Sequence, residues 1–124
     1  MSTPALICDT GALLDYLSAA APDHAAFREA IDDARTRYVP GLVLPEIDYF
    51  LRRQRKALHA FMADLARGAF TYAPPTASLL VRSVAVDRRY AAIGLGLVGA
   101  SIVALAEELD VRRRPGGVRR GRGS

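Results

Sequence analysis

Short apolar runs alternate along this chain with longer segments whose apolar residues repeat at helical spacing. The short runs favour buried strands at residues 4–9, 38–40 and 70–73. Helical spacing and capping residues predict six helices. The first is capped by Thr10, the second opens at Pro22, the third starts near Leu42, the fourth covers Lys56–Arg67, the fifth is capped by Thr76, and the last carries Val98, Ile102, Leu105 and Leu109. Strands that alternate with helices in this way are typical of an α/β domain with a parallel sheet.

The helical patterns also predict which side chains point inward. In the third helix we expect Ile47, Phe50 and Leu51 to face the core, and Gly68 to end the fourth helix. The apolar faces of the fourth and fifth helices include Met62, Leu80 and Val84.

Composition and charge divide the chain into a domain and a tail. With 124 residues, 51% of them hydrophobic and 24% charged, the chain suits one globular domain. Residues 112–124 hold six arginines and no acid, so removing them takes the net charge from +4 to −2. We therefore expect a mildly acidic domain over residues 1–111 and a basic, disordered tail over 112–124.

The N-terminal segment argues for a cytoplasmic protein. Cys8 is the only cysteine, so no internal disulfide can form, and we expect it to be a buried core thiol. Asp9 interrupts the first apolar run, which argues against a signal peptide. No stretch approaches the roughly 18 apolar residues of a membrane helix.

Two acidic residues have the positions expected of functional groups. Asp9 follows the first apolar strand, and ligands of α/β sheets bind beyond the carboxyl ends of strands. Glu46 lies among apolar residues near the start of the third helix. Each has a purely structural alternative, because a carboxylate also stabilises the amino end of a helix. Asp48 should lie on the opposite side of that helix, and His24 and His59 are predicted to be surface residues.

Three segments together resemble the VapC toxins, which are PIN-domain ribonucleases of type II toxin-antitoxin pairs. They are the strand ending at Asp9, the segment Pro45-Glu46-Ile47-Asp48-Tyr49, and the glycine-rich segment 95–107; the resemblance spans about residues 4–110. It implies a three-layer α/β/α PIN fold with a short, mainly parallel central sheet. It also implies a homodimer, a VapB-type antitoxin as partner, and RNA cleavage that depends on Mg²⁺, with Mn²⁺ as a substitute. Asp9 and Glu46 match the first two acids of the family, which implies that both are catalytic and bind the metal.

The chain departs from the family pattern at two places. Gly99 stands where the family has a third acid, and Val111 and the arginine tail replace the last strand and a fourth acid. The departures imply a weakened ribonuclease. They leave open an alternative, a catalytically impaired PIN domain that binds an antitoxin or RNA.

Basic residues follow Glu46 and precede Tyr90. Arg52, Arg53, Arg55 and Lys56 form one group, and Arg88 and Arg89 form the other. They suit contacts with RNA phosphates, or equally the solvated carboxyl ends of helices.

Overall fold

A short parallel sheet forms the centre of the first part of the molecule. The computed structural model describes residues 5–18 and 24–113. Within them lie three strands, β1 (Leu6–Ile7), β2 (Arg37–Pro40) and β3 (Thr71–Ala73), in the order β1-β2-β3. Both strand pairs are parallel, with Leu6 opposite Arg37 and Tyr38 opposite Thr71. The three predicted strands and their parallel arrangement are confirmed.

The described residues also contain the six predicted helices. Their bounds are α1 (Thr10–Leu17), α2 (His24–Asp33), α3 (Val43–Phe50), α4 (Arg55–Ala66), α5 (Ala77–Arg89) and α6 (Gly96–Arg113). None of these helices is long and apolar enough to cross a membrane.

The chain folds as two compact units that divide after Pro74. The first unit contains the sheet with α1 to α4, and the second contains α5 and α6. In the first unit, α1 packs against both α2 and α3. Crossovers between parallel strands are right-handed, so helices that follow β1 and β2 in the same direction lie on one face of the sheet.

The core of the first unit lies between that helical layer and the sheet. Leu13, Ile31, Val39, Ile47 and Phe61 are fully buried. Burying side chains of this size contributes about 1.5–3 kcal/mol each. The core therefore holds α1 and α3 firmly against the strands that precede them.

The second unit is a pair of packed helices joined by polar contacts. Arg82 on α5 donates to Glu108 Oε1 at 3.1 Å, and Arg89 donates to Glu107 Oε2 at 2.7 Å. Ser83 is fully buried, and its hydroxyl donates to the Leu79 carbonyl of the preceding turn. The two arginine contacts link α5 to α6.

The boundaries of α3, α4 and α5 agree with the sequence prediction to within one residue, and the predicted start of the second helix at Pro22 lies outside the described residues. The first cap differs from the prediction. Thr76 caps α5 by accepting a hydrogen bond from the Leu79 amide, and Gly68, with φ of 84°, follows the end of α4. The prediction that Thr10 caps α1 is wrong, because Asp9 is the capping residue. Asp9 has the extended backbone conformation and the short acceptor side chain that the capping position requires.

Several apolar side chains expected to face the core are exposed. Phe50 is 54% exposed, whereas its neighbour Leu51 is buried, because α3 ends between them and the chain turns. Met62, Leu80 and Val84 are also exposed. Each of the three directly follows a buried residue and therefore lies beside the buried face of its helix. The buried faces consist of Leu58 and Phe61 in α4 and of Leu79, Ser83 and Val86 in α5.

The predicted tail falls mainly outside the described residues. Helix α6 continues past Val111 to Arg113, so it includes the first two tail arginines, and residues 114–124 lie beyond the described part. Within residues 5–18 and 24–113, no strand follows β3.

Candidate active site at the carboxyl edge of the sheet

Asp9 lies at the carboxyl end of β1, where the chain enters α1. Cys8 directly before it is buried, whereas Asp9 itself is exposed. The Asp9 carboxylate accepts a hydrogen bond from the Ala12 amide to Oδ1 at 2.8 Å. This contact is the capping role that the sequence allows, and it occupies one of the two carboxylate oxygens.

Glu46 lies in the first turn of α3, just after β2. The turn that connects them is fixed because the Gly41 amide donates to the Ala73 carbonyl at 2.8 Å, at the end of β3. Pro45 precedes Glu46 within the first turn, where a missing amide hydrogen costs nothing because helix starts have no intrahelical acceptors. The Glu46 side chain is half-buried.

The Thr10 hydroxyl connects the two acidic segments. It donates a 2.5 Å hydrogen bond to Oε1 of Glu46, across 36 residues of sequence. Thr10 directly follows Asp9, so the Glu46 carboxylate is held beside the segment that carries Asp9. The structure thus brings together the ends of β1 and β2 at one edge of the sheet, as parallel strands require.

Three further acidic residues pair with arginines instead of contributing to this edge. Asp48 pairs with Arg55 at 2.8 Å on the exposed side of α3, as predicted for a residue on the opposite side from Glu46. In the second unit, Glu107 and Glu108 pair with arginines of α5. Each of these three acids is therefore engaged by an arginine of its own unit.

The donor set at this edge fits a hard divalent cation held by few protein ligands. Among the residues described, no three histidine, cysteine, aspartate or glutamate side chains form a group that could hold a metal. Mg²⁺ nevertheless binds through as few as one or two carboxylates, with waters and substrate phosphates completing its octahedron. Two carboxylates with one engaged oxygen each are therefore compatible with Mg²⁺.

Cys8 contributes no reactive group to this edge. Burial raises the pKa of the Cys8 thiol to about 11, an effect reduced by Arg37 and reinforced by Asp9. At neutral pH it is therefore protonated and unreactive. The prediction of a buried core thiol is confirmed.

Two of the four basic residues that follow α3 make contacts within the protein. Arg52 lies over the Tyr49 ring at 4.2 Å and donates to the Tyr49 carbonyl, and Arg55 binds Asp48. Arg53 and Lys56 are exposed and have no ion-pair partner among the described residues.

Histidines contribute no ligand to this edge. His59 is exposed, as predicted. His24 differs from the prediction, because it is half-buried and its Nδ1 lies 2.8 Å from the Asp15 carbonyl oxygen. The start of α2 packs against α1 there, which covers the ring.

Comparison with known proteins decides the family. The family model of the PIN domain matches residues 6–112. The chain belongs to the PIN-domain family. Within that family it is similar to Ribonuclease VapC26 of Mycobacterium tuberculosis (strain ATCC 25618 / H37Rv), with 36% identity over 110 residues that cover 86% of this chain and 82% of the relative. The chain is therefore a VapC-type PIN domain, and the resemblance found in the sequence is confirmed.

A solved structure supports the fold independently of sequence. The crystal structure of Mycobacterium tuberculosis VapC20, described as a Sarcin-Ricin loop cleaving toxin, matches this PIN domain with a TM-score of 0.75. The match covers 85% of this chain and 83% of that one, at 18% identity. The predicted α/β fold of the PIN type is confirmed.

Thr10 and Asp15, two polar residues of the first unit, were not identified from the sequence as candidate site residues. The pattern predicts a helix cap at Thr10, although a hydroxyl next to a strand-end acid is also well placed to contact the neighbouring strand end. Asp15 belongs to no motif, although it shares a helical face with Gly11 and follows Asp9 by six residues. The assignment of Asp9 and Glu46 as catalytic and metal-binding residues stays a prediction.

Proposed function

We propose that this PIN domain is the toxin of a type II toxin-antitoxin pair and cleaves RNA with the help of Mg²⁺ or Mn²⁺. The observation that carries the proposal is the hydrogen bond from Thr10 to Glu46, which holds two acidic segments at one edge of the sheet. Family membership supplies the reaction class, since the relative VapC26 is named a ribonuclease.

The proposed roles of the side chains follow from their free oxygens. Oδ1 of Asp9 serves the cap of α1 and Oε1 of Glu46 accepts from Thr10, so Oδ2 and Oε2 are the atoms offered to a cation. A Mg²⁺ held by these two oxygens would supply a water of lowered pKa and neutralise charge on the phosphate. The rigid cap and the Thr10 contact keep both carboxylates oriented before any ion arrives, which reduces the reorganisation needed for binding.

RNA is the substrate class that the surface suits. Arg53 and Lys56 are exposed and follow the end of α3, the helix that carries Glu46 in its first turn. Basic side chains supply most of a protein's affinity for RNA phosphates. VapC20 is described as cleaving the Sarcin-Ricin loop, so a structured RNA loop is the first substrate to test.

The same family membership supports the remaining proposals. We expect a VapB-type antitoxin as partner, a homodimer, and a cytoplasmic location. We also expect activity to be weak, because the described residues offer two carboxylates and no third acid with them. Losing one major electrostatic contributor costs on the order of a hundredfold in rate.

The decisive experiment measures cleavage of a structured RNA with Mg²⁺ and with EDTA. Asp9→Asn and Glu46→Gln should abolish the Mg²⁺-dependent cleavage, since each removes a charge while keeping size and, for Asn, the helix cap. Asp48→Asn is the matched control, because Asp48 lies on the same helix as Glu46 but pairs with Arg55. Equal loss in all three variants, or cleavage that persists in EDTA, would contradict the assignment.

The alternative is a PIN domain that binds but does not cleave. The small donor set favours it over full activity. It predicts that the parent protein shows no cleavage above the Asp9→Asn background, yet still binds a VapB-type antitoxin. Measuring both properties on one preparation separates the two functions.

A further inference from the structure

A cavity of about 460 Å³ lies beside Asp9 in the first unit, between α1 and α2. Its size falls within the range of small-molecule pockets. Its lining comes from α1, from α2 and from the β1 segment. The lining residues are Gly11, Ala12 and Asp15 from α1, Phe27, Ala30 and Ile31 from α2, and Leu6, Ile7, Cys8 and Asp9 from the β1 segment.

Asp15 is the polar group of this cavity that has no assigned role. Its backbone carbonyl lies 2.8 Å from His24 Nδ1, but no group among the described residues bonds to its carboxylate. Asp9, the other acid of the lining, already caps α1. A half-buried carboxylate that no described residue contacts favours a ligand that brings hydrogen-bond donors.

The part of the lining that α2 contributes suits a flat aromatic ligand. Phe27 is half-buried and lines the cavity together with Ala30 and Ile31. Gly11 on α1 has no side chain, and a Cβ placed there would lie 3.8 Å from Asp9 Oδ1. Proteins that read single-stranded RNA stack unpaired bases on aromatic side chains and bond their edges.

The chemistry of Asp15 selects among the bases. An ionised carboxylate has two acceptor oxygens and no donor. The Watson–Crick edge of guanine offers N1–H and N2–H side by side, so both oxygens gain a hydrogen bond. Adenine and cytosine place a ring-nitrogen acceptor next to their amino group, and uracil flanks its single N–H with two carbonyl oxygens. Of the four bases, guanine is therefore the one that can bond to both carboxylate oxygens without placing an acceptor atom of its own against them.

We propose that this cavity is a guanine-binding subsite for the RNA substrate and that Asp15 determines its specificity. The proposal rests on the proposed ribonuclease function, since it places an unpaired guanine next to the candidate catalytic Asp9. Phe27 stacks on the base, and the Asp15 carboxylate accepts from N1–H and N2–H.

The first test is nucleotide binding in EDTA, where no cleavage occurs. Calorimetric titration of GMP, IMP, AMP and CMP into the full chain should show GMP binding at least about tenfold more tightly than the others, including IMP, which lacks the N2 amino group. Asp15→Asn should remove that preference, because its amide NH₂ opposes a donor of guanine. Asp48→Asn, an equally conservative change on α3, should keep it.

A second variant tests whether a loss of GMP binding comes from the cavity itself and not from unfolding. Ala30→Leu adds bulk to the α2 part of the lining and leaves Asp15 itself unchanged, and it should block GMP binding while the far-UV circular dichroism spectrum stays unchanged. Equal binding of all four nucleotides, no GMP binding by the parent, or an undiminished preference in Asp15→Asn overturns the proposal.

Cleavage then separates this subsite from the ribonuclease itself. On an RNA library, the parent should cut next to guanosine, and Asp15→Asn should still cut but with that preference lost. If the parent binds GMP selectively and cuts nothing, the ribonuclease proposal fails and the guanine site stands. If it cuts with no preference for guanosine, the ribonuclease stands and the guanine site fails.

Discussion

The hydroxyl of Thr10 donates to Oε1 of Glu46 at 2.5 Å and thereby links the residue that begins α1 to the first turn of α3. The two residues are 36 positions apart in sequence, and the parallel pairing of β1 with β2 together with the packing of α1 against α3 brings them together. The contact orients a half-buried carboxylate at the edge where Asp9 also lies.

Replacing Thr10 with valine should destabilise the first unit. Valine keeps the shape of the side chain but leaves the Glu46 carboxylate without its donor, and hydrogen bonds to charged groups contribute about 1.5–3 kcal/mol. Urea denaturation should show a fall of that order in the free energy of unfolding. Thr10→Ser keeps the hydroxyl and is the control; a serine variant as unstable as the valine variant would argue against a role for this bond.

Two substitutions of Asp9 should distinguish its role as the cap of α1 from the role of its negative charge in binding a cation. Asp9→Ala removes the acceptor of the Ala12 amide, so we expect the free energy of unfolding to fall by about 1 kcal/mol. Asp9→Asn keeps an acceptor oxygen and should stay near the parent in stability while losing affinity for Mn²⁺. Thermal melts and Mn²⁺ titration measure the two effects; equal melting temperatures of the Ala and Asn variants would contradict the capping role.

Gly99→Asp should raise Mg²⁺ affinity and RNA cleavage together. The resemblance to VapC toxins places the third acid of the family at this position, and a further anionic oxygen strengthens cation binding. The helix has room for the change, because a Cβ at Gly99 would meet only the Leu95 side chain, at 3.5 Å. Replacing glycine in a helix also removes a conformational cost of about 0.5–1 kcal/mol.

Gly99→Asn is the matched control for that experiment. It fills the same space without the negative charge, so it should share any gain in stability and show no gain in cleavage. If cleavage rises equally in both variants, charge at residue 99 is not what limits the parent.

Cys8 should make stability fall at alkaline pH. Burial raises its pKa in the folded state to about 11, above the value of about 8.5 in an unfolded chain. The folded state therefore binds the thiol proton more tightly, and this contribution is complete below about pH 8.5 and lost as the pH rises toward about 11. Urea denaturation at several pH values should show a steeper decline for the parent than for Cys8→Ala. Parallel declines would contradict the raised pKa.

Features that depend on neighbours within one or two helical turns could be predicted from the residue pattern alone. The alternation of strands and helices, the cap at Thr76 and the end of α4 at Gly68 all follow from local periodicity and backbone preference. The positions of Asp9 after β1 and Glu46 in the first turn of α3 are equally local, and both agree with the structure.

The contacts of these residues could not be predicted in the same way, because they depend on how strands and helices pack. Phe50 and Leu51 are equally apolar, yet only Leu51 is buried, because the turn after α3 determines which of them meets the core. Thr10 binds Glu46 because β1 pairs with β2, and Asp15 faces a cavity because α2 packs across from it. Such contacts join residues that are far apart in sequence. The residue pattern of a single helix or strand carries no information about how far it lies from another element.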